Sequence, residues 1–375
     1  MVDVLPEPRR KARGALSNAS GRFEAETRIR VDDGWSAENA DEDLPAFKTT
    51  VATDASRTVI ARNASPDIPF DQSINPYRGC EHGCIYCYAR PTHAFLGLSP
   101  GQDFESRLFA KPEAGRLLAR ELSAPGYVCK VIALGTNTDP YQPIERKLKI
   151  TRAILETLAA FSHPVGIVTK SALVRRDIDI LAPMAARKLA RVFVSITTLD
   201  PALARAMEPR AAHPKARLDT LRALADAGIP AGVMAAPMIP ALNDAELEAI
   251  LEAARAAGAS SAGYVALRLP HEIKDLFAEW LRANRPDRAE RVLNLVRDMR
   301  GGKLNDARFS SRMRGTGPYA ELIARRFALA TRRLGLDRER FDLDTAQFAP
   351  PPIADHGAGD RGAGDHGAGD QLRLL

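Results

Sequence analysis

Between about residues 70 and 300, short β-branched and apolar runs alternate with longer stretches in which apolar positions recur every three or four residues. The runs are Gln72 to Tyr77, Val128 to Leu134, Val165 to Thr169, Val192 to Thr197, Ala231 to Met238 and Gly263 to Leu269. Between them, Lys149 to Phe161, Asp177 to Leu189, Lys215 to Ala227 and Asp244 to Ala257 carry the helical period, and several close on Gly or Pro, as helix termini do. This alternation predicts an α/β fold of βα units around a parallel sheet, and six such units suit a partial barrel.

Glu272 to Ala283, Asp287 to Met299 and Tyr319 to Leu334 continue the helical pattern, with Gly301 and Gly302 interrupting it. These helices are expected beside or beneath the barrel. Residues 1–65 lack sustained periodicity and mix the basic PRRKARG with the acidic ENADEDLP, so an extended or partly disordered arm is expected, with Gly14, Asn18 and Gly21 to Phe23 as candidates to dock on the core. Beyond Ala349, PPPIADHGAGDRGAGDHGAGDQLRLL is a near-repeat too polar and Gly-rich to bury a core. The chain therefore divides into an arm (1–65), a barrel core (66–300), a C-terminal helical extension (301–348) and a disordered Gly/Ala/Asp/His-rich tail (349–375).

Net charge of +6 permits a polyanionic partner without specifying one. No apolar run approaches the roughly 18 residues of a membrane span, and the N-terminus has no apolar segment of a secretory signal. A cytoplasmic protein without membrane association is expected. Three of the four cysteines fall within eight residues, unlike the layout of a disulfide-stapled secreted domain. Clustered thiols in a reducing compartment point to metal.

The cluster is Cys80, Cys84 and Cys87 in SINPYRGCEHGCIYCYARPTH, a CxxxCxxC spacing just after the first core strand. In parallel α/β folds the loops at the carboxyl ends of strands carry the chemistry. Three thiolates on an iron-sulfur cube leave its fourth iron without a protein ligand and open to substrate, and Gly79 and Gly83 would let the backbone wrap closely around it. On spacing alone, two alternatives stay open for a non-enzymatic protein: a regulatory cluster, or a zinc site completed by His82, His93 or Cys129. Structural zinc sites, however, usually bring a second ligand pair, which this chain lacks.

This motif, together with NASPDIPFDQSINPYRGCEHGCIYCYARPTH, ALGTNTDPYQPIE, VSITTLDPALARAMEPR, APMIPALND and YVALRLP, resembles the radical S-adenosylmethionine superfamily over residues 58 to 300, in particular an uncharacterised branch similar to spore photoproduct lyase. The resemblance implies a TIM-like partial (β/α)6 barrel with extra C-terminal helices. It also implies an enzyme that holds a [4Fe-4S] cluster on Cys80, Cys84 and Cys87. Such enzymes cleave S-adenosylmethionine (SAM) reductively to a 5′-deoxyadenosyl radical, which abstracts hydrogen from a substrate. No catalytic side chain beyond the cluster ligands is implied.

For the cofactor, the resemblance implies contacts from Tyr86 to the adenine, from Thr136 and Asn137 to the methionine moiety, from Lys170 to its carboxylate and from Ser195 to the ribose. Arg210, in the loop it shares with Glu208, is a candidate for ribose, carboxylate or substrate, and Asp139, Gln142, Glu145 and Arg268 would face the same mouth as substrate contacts. The implied partners are an electron donor such as flavodoxin or ferredoxin and, among substrates, nucleic acid; the oligomeric state is left open. The match departs from spore photoproduct lyase at one point. That enzyme returns a hydrogen atom from a cysteine ending its second strand, and here the position falls in GTNT, with Cys129 lying earlier as a small apolar residue. A DNA-lesion lyase is therefore an alternative reading.

Overall fold

The computed structural model describes residues 13–27, 48–337 and 342–351. The start of the basic patch, the acidic stretch and the Gly-Ala-Gly-Asp tail lie outside the described residues. The strands are β1 (Thr50–Thr53), β2 (Ile60–Arg62), β3 (Gln72–Ile74), β4 (Tyr77–Arg78), β5 (Arg107–Ala110), β6 (Ile132–Leu134), β7 (Val165–Thr169), β8 (Ala190–Ser195), β9 (Ala231–Met238) and β10 (Ser261–Ala266).

The larger sheet runs β10-β9-β8-β7-β6-β3-β2. Every pair from β3 to β10 is parallel, and only β2 lies antiparallel, on β3. Each parallel strand lies beside the one before it in the chain, which is how βα units wind in one sense around a barrel. Among the described residues no backbone ladder joins β10 to β2, so the barrel is partial. Across that gap a side-chain contact stands in for a ladder. Arg312, in the short helix Ser311–Arg314 beside β10, holds Asp67 of the β2–β3 connection through two bonds of 2.6 and 2.5 Å.

Helices cover the parallel strands, so their apolar runs are nearly continuous. Ile132, Leu134, Ile167, Val192, Val194 and Val233 pack with Ile154, Leu158, Leu181, Leu221 and Ile250 in the main core. The observed helices Ile150–Ala160, Ile178–Ala186, Pro214–Asp226 and Leu247–Ala256 match the periodic stretches to within a few residues. The run predicted from Val128 becomes strand only at Ile132, since Val128 is exposed.

Two features add to the sequence reading. Helices Ile273–Asn284 and Ala289–Asp298, expected beside or beneath the barrel, pack on the cysteine loop. Their Phe277, Trp280, Leu281, Val292 and Leu293 form a second core with Ile85 and Tyr86 of the cysteine loop, because Leu267 and Leu269 lead the chain across that end. Within the stretch expected as an arm, β1 and β2 join the two sheets, with β1 pairing β5 and β2 pairing β3. They are too short and exposed to show a period.

Candidate active site

The cysteine loop follows β3 and β4 at the mouth of the barrel. Its turns need left-handed backbone at Gly79 (φ +77°) and Gly83 (φ +67°), where a Cβ would lie 2.7 Å from Leu108 Cδ2 and from Glu105 Oε2 respectively. Two side chains brace the loop. Arg90, fully buried, donates from Nε to the Cys84 carbonyl (2.9 Å) and from its terminal nitrogens to the carbonyls of Gly83 (3.0 Å), Pro100 (3.1 Å) and Gly101 (2.8 Å), and it pairs with buried Glu105. Gln142 straddles Cys80, donating to the Gly79 carbonyl (3.1 Å) and accepting from the Glu81 N–H (2.9 Å).

Cys80 and Cys84 are buried and Cys87 is half-buried. Burial pushes all three thiols up, Cys84 to about 12, with Lys170 opposing the shift at Cys84 and Cys87. Desolvation of this size keeps a bare thiol protonated, so thiolates here require a cationic guest. The donor set and the glycine cradle fit an iron-sulfur cube. Two of the histidines that could complete a zinc site each have one ring nitrogen engaged. His82 faces Asp139 at 3.4 Å, and the His93 ring bonds the Arg107 carbonyl at 2.9 Å. Among the described residues, no three His, Cys, Asp or Glu side chains are arranged to hold a single metal ion.

Beside the thiols lies a buried polar network. Glu208 accepts from Thr197 (2.7 Å), Tyr86 and Arg217, while Arg217 also donates to the Ser195 carbonyl (3.0 Å) and the Ala212 carbonyl (2.7 Å). The Lys170 ammonium stands 5.7 Å from the centre of the Tyr86 ring, and its backbone N–H donates to Asp139 (2.7 Å). Burial pushes the Glu208 carboxyl up, but Arg217 and Lys170 outweigh it and hold the group down to about 2. Asp139 is likewise held to about 2 against burial, by His82, the Lys170 N–H and Thr169.

Both folded values lie below the ordinary 4.5 and 3.8, so the stability these groups contribute is complete above those values and lost as pH falls toward about 2. Urea midpoints should therefore drop on acidification through that window, and Glu208→Gln should be weaker than wild type at neutral pH while losing less in acid.

The structure brings Tyr86, Lys170 and Ser195 to the thiol side of the mouth, with the Ser195 hydroxyl 3.3 Å from the Ala236 carbonyl of β9. Thr136 and Asn137 are half-buried just past β6, where the Asn137 N–H bonds Asn75 at 3.1 Å and the Thr136 carbonyl accepts from the Tyr88 hydroxyl. Arg210 is engaged within the fold. It pairs with Glu81 at 3.0 Å and reaches Thr49, because the loop carrying it folds under the cysteine segment and its N–H bonds the His82 carbonyl.

Gln142 and Glu145 also brace the fold, each fully buried and hydrogen-bonded within it. Glu145 is buried, accepting from Tyr77, the Thr151 N–H and Arg176. Asp139 holds the β7 end, bonding Thr169 at 2.7 Å and Lys170. The sequence reading missed Arg90, Glu105 and Arg217. Of these, Arg217 carried a signal: it occupies the apolar helix stripe with Leu221 and Leu224, where a charge needs a buried partner.

The arm docks on this loop. Gly14 and Ala15 donate to the Glu105 carboxylate at 2.9 Å each, Arg13 donates to the Glu105 carbonyl at 2.6 Å, and Asn18 bonds Asp103. A Cβ on Gly14 would meet the Gly83 carbonyl oxygen at 1.8 Å. Gly14→Ala should therefore release the arm, seen as trypsin cleavage at Arg22 about tenfold faster or more, as expected for local opening eased by over 1 kcal/mol. An unchanged cleavage rate would contradict this docking.

A one-way parallel partial barrel with a three-thiol loop at its mouth defines a class of cofactor-dependent α/β enzymes whose chemistry sits at the carboxyl ends of the strands. The profile of the Radical SAM superfamily matches residues 74–254. An uncharacterized protein of Mycobacterium tuberculosis is 38% identical over 232 residues, covering 61% of this chain and 68% of that one. One of Methanocaldococcus jannaschii is 30% identical over 173 residues, covering 46% and 62% respectively. The structure of spore photoproduct lyase complexed with dinucleoside spore photoproduct shares the fold at a TM-score of 0.56 and 15% identity, over 76% of this chain and 78% of that one. The chain belongs to the radical SAM superfamily and is a radical SAM enzyme. Among the described residues no helix is long and apolar enough to cross a membrane.

Proposed function

We propose that the protein binds a [4Fe-4S] cluster on Cys80, Cys84 and Cys87 and SAM beside it, and that it draws its electron from a flavodoxin- or ferredoxin-like donor. The observation that carries this reading is the loop itself: three desolvated thiols in a glycine-lined turn, next to an ammonium and a buried polar network. When bound, the pair supplies one-electron cleavage of a carbon-sulfur bond, giving methionine and a 5′-deoxyadenosyl radical able to take a hydrogen atom from substrate.

The chain's own residues supply position, dryness and charge. Lys170 is the cation available to the methionine carboxylate. Tyr86 offers a ring fixed by Glu208 and Thr197. Thr136, Asn137 and Ser195 offer polar groups at the ends of β6 and β8. The second core of Phe277, Trp280 and Leu281 shields the loop from water.

The lesion-lyase reading lacks a cysteine donor at the end of β6, since Cys129 lies before that strand. The test is anaerobic reconstitution with iron and sulfide, reduction with dithionite and assay of 5′-deoxyadenosine after adding SAM. Formation of that product supports the reading. A fully loaded protein that never cleaves SAM overturns it.

A further inference from the structure

Arg268 follows β10 and places its guanidinium 5.3 Å from the centre of the Tyr88 ring. Tyr88 comes directly after Cys87, is 45% exposed, and donates its hydroxyl to the Thr136 carbonyl. The ring thus spans the mouth from the cysteine loop to the end of β6, with Arg268 reaching it from β10. Arg268 Nε is buried without any hydrogen-bond partner, and one terminal nitrogen meets only Met313 Sδ at 3.5 Å, a weak acceptor. No carboxylate pairs with it among the described residues.

The surrounding charges deepen the imbalance. Arg312 is balanced by Asp67. Arg300 is buried on carbonyls alone, those of Ala266, Leu267, Ser311 and Arg312, and the acid nearest it in effect, Asp306, is paired with Arg308. Among the described residues neither Arg268 nor Arg300 has an ion-pair partner, since the carboxylates that attract them, Asp67 and Asp306, are paired with Arg312 and Arg308. Burial, then repulsion by Arg312, pushes Arg268 below its ordinary value, and burial followed by Arg268 holds Arg300 to about 10. A desolvated, unpaired guanidinium is costly, and the group that satisfies its planar fork is an oxyanion.

We infer that Arg268 is the receptor for an oxyanion carried by the substrate, a phosphate or a carboxylate, seated over Tyr88 in the positive field of Arg300. This inference rests on the proposed reading that substrate reacts at this mouth. The site anchors the substrate by its charge and so fixes which carbon faces the cysteine loop. Arg268 touches substrate but takes no part in bond breaking.

The test is calorimetric titration of the full-length reconstituted protein with inorganic phosphate and, separately, with acetate. At least one should bind saturably in the millimolar range, and which one does identifies the oxyanion. Arg268→Gln should weaken that binding about tenfold or more, and Arg268→Lys, which keeps the charge but loses the fork, should fall between. Arg282→Gln, at an exposed position where the side chain pairs with Glu290, should bind as wild type does. Affinity for SAM should be the same in all four proteins.

The inference is overturned if neither anion binds, or if both Arg268 variants, with melting curves like wild type, bind equally well. Should Arg268→Gln fail to fold, the lysine variant decides alone. Iron and sulfide content is read in the same samples. Arg268-dependent anion binding in a protein that takes up no cluster would sink the proposed function and leave the anion site standing, and a loaded, SAM-cleaving protein without anion binding would do the reverse.

Discussion

Cys84→Ala should give a folded protein that holds no competent cluster and forms no 5′-deoxyadenosine, a loss of about a thousandfold or more against wild type. The fold should survive because the thiols do not hold the loop in place. Its shape comes from the Cys80 N–H to the Phe104 carbonyl (2.9 Å), the Ile85 N–H to the Met207 carbonyl (3.0 Å) and the carbonyls gathered by Arg90. All of these are backbone groups on the loop side, present equally in the variant. Removing one buried sulfur costs on the order of 1 kcal/mol. Before cluster loading, melting curves should therefore nearly superimpose, while after reconstitution the electron paramagnetic resonance signal of the reduced cluster and the product both vanish in the variant. Retained activity would mean that the ligand set has been misassigned.

Arg90→Met reverses this pattern, with stability falling first and chemistry following. The Arg90–Glu105 pair is fully buried, and Glu105 also anchors the arm at Gly14 and Ala15. Removing the cation leaves a desolvated carboxylate and several carbonyls without donors, at a cost of about 3–5 kcal/mol. That is a large part of the roughly 5–15 kcal/mol by which a domain is stable. The urea midpoint should drop accordingly, and iron uptake should fall because the Gly83 and Cys84 carbonyls are no longer fixed. The double variant Arg90→Met/Glu105→Leu should recover part of the loss, since it removes the orphaned charge as well. If the single and double variants are equally unstable, the ion pair is not the source of the effect.

The parts of this molecule legible in the sequence are those written in local periods. Helices such as Pro214–Asp226 and strands such as β7 and β9 carry their apolar pattern within a few residues, and the spacing of the three cysteines marks out a single loop. What stayed hidden depends on partners far apart in the chain. Nothing within the sequence around Arg210 reveals that Glu81 will claim it, and nothing links Arg90 to Glu105 without the fold. The partners of Gln142 and Glu145 are hidden for a related reason. The segment after β6 turns back against the cysteine loop, so polar side chains expected at the mouth satisfy Gly79, Glu81, Tyr77 and Thr151. The C-terminal helices showed their existence by period but not their destination, which Leu267 and Leu269 set by carrying the chain over the cysteine loop.

The joint between Arg312 and Asp67 gives the barrel wall an uneven compliance. From β3 round to β10 neighbouring strands are stitched by backbone ladders, whose register cannot slip without turning side chains from one face to the other. Among the described residues, the gap is crossed at Asp67, which takes the Arg312 guanidinium and the Ser310 N–H, contacts that can part and re-form without disturbing any ladder. The wall is therefore a stiff arc with a soft joint. The cysteine loop hangs from the stiff arc through β3, and Arg268 stands beside the soft one. Deformation that widens the rim is taken up next to the charge at the rim, while the geometry of the three thiols is left undisturbed.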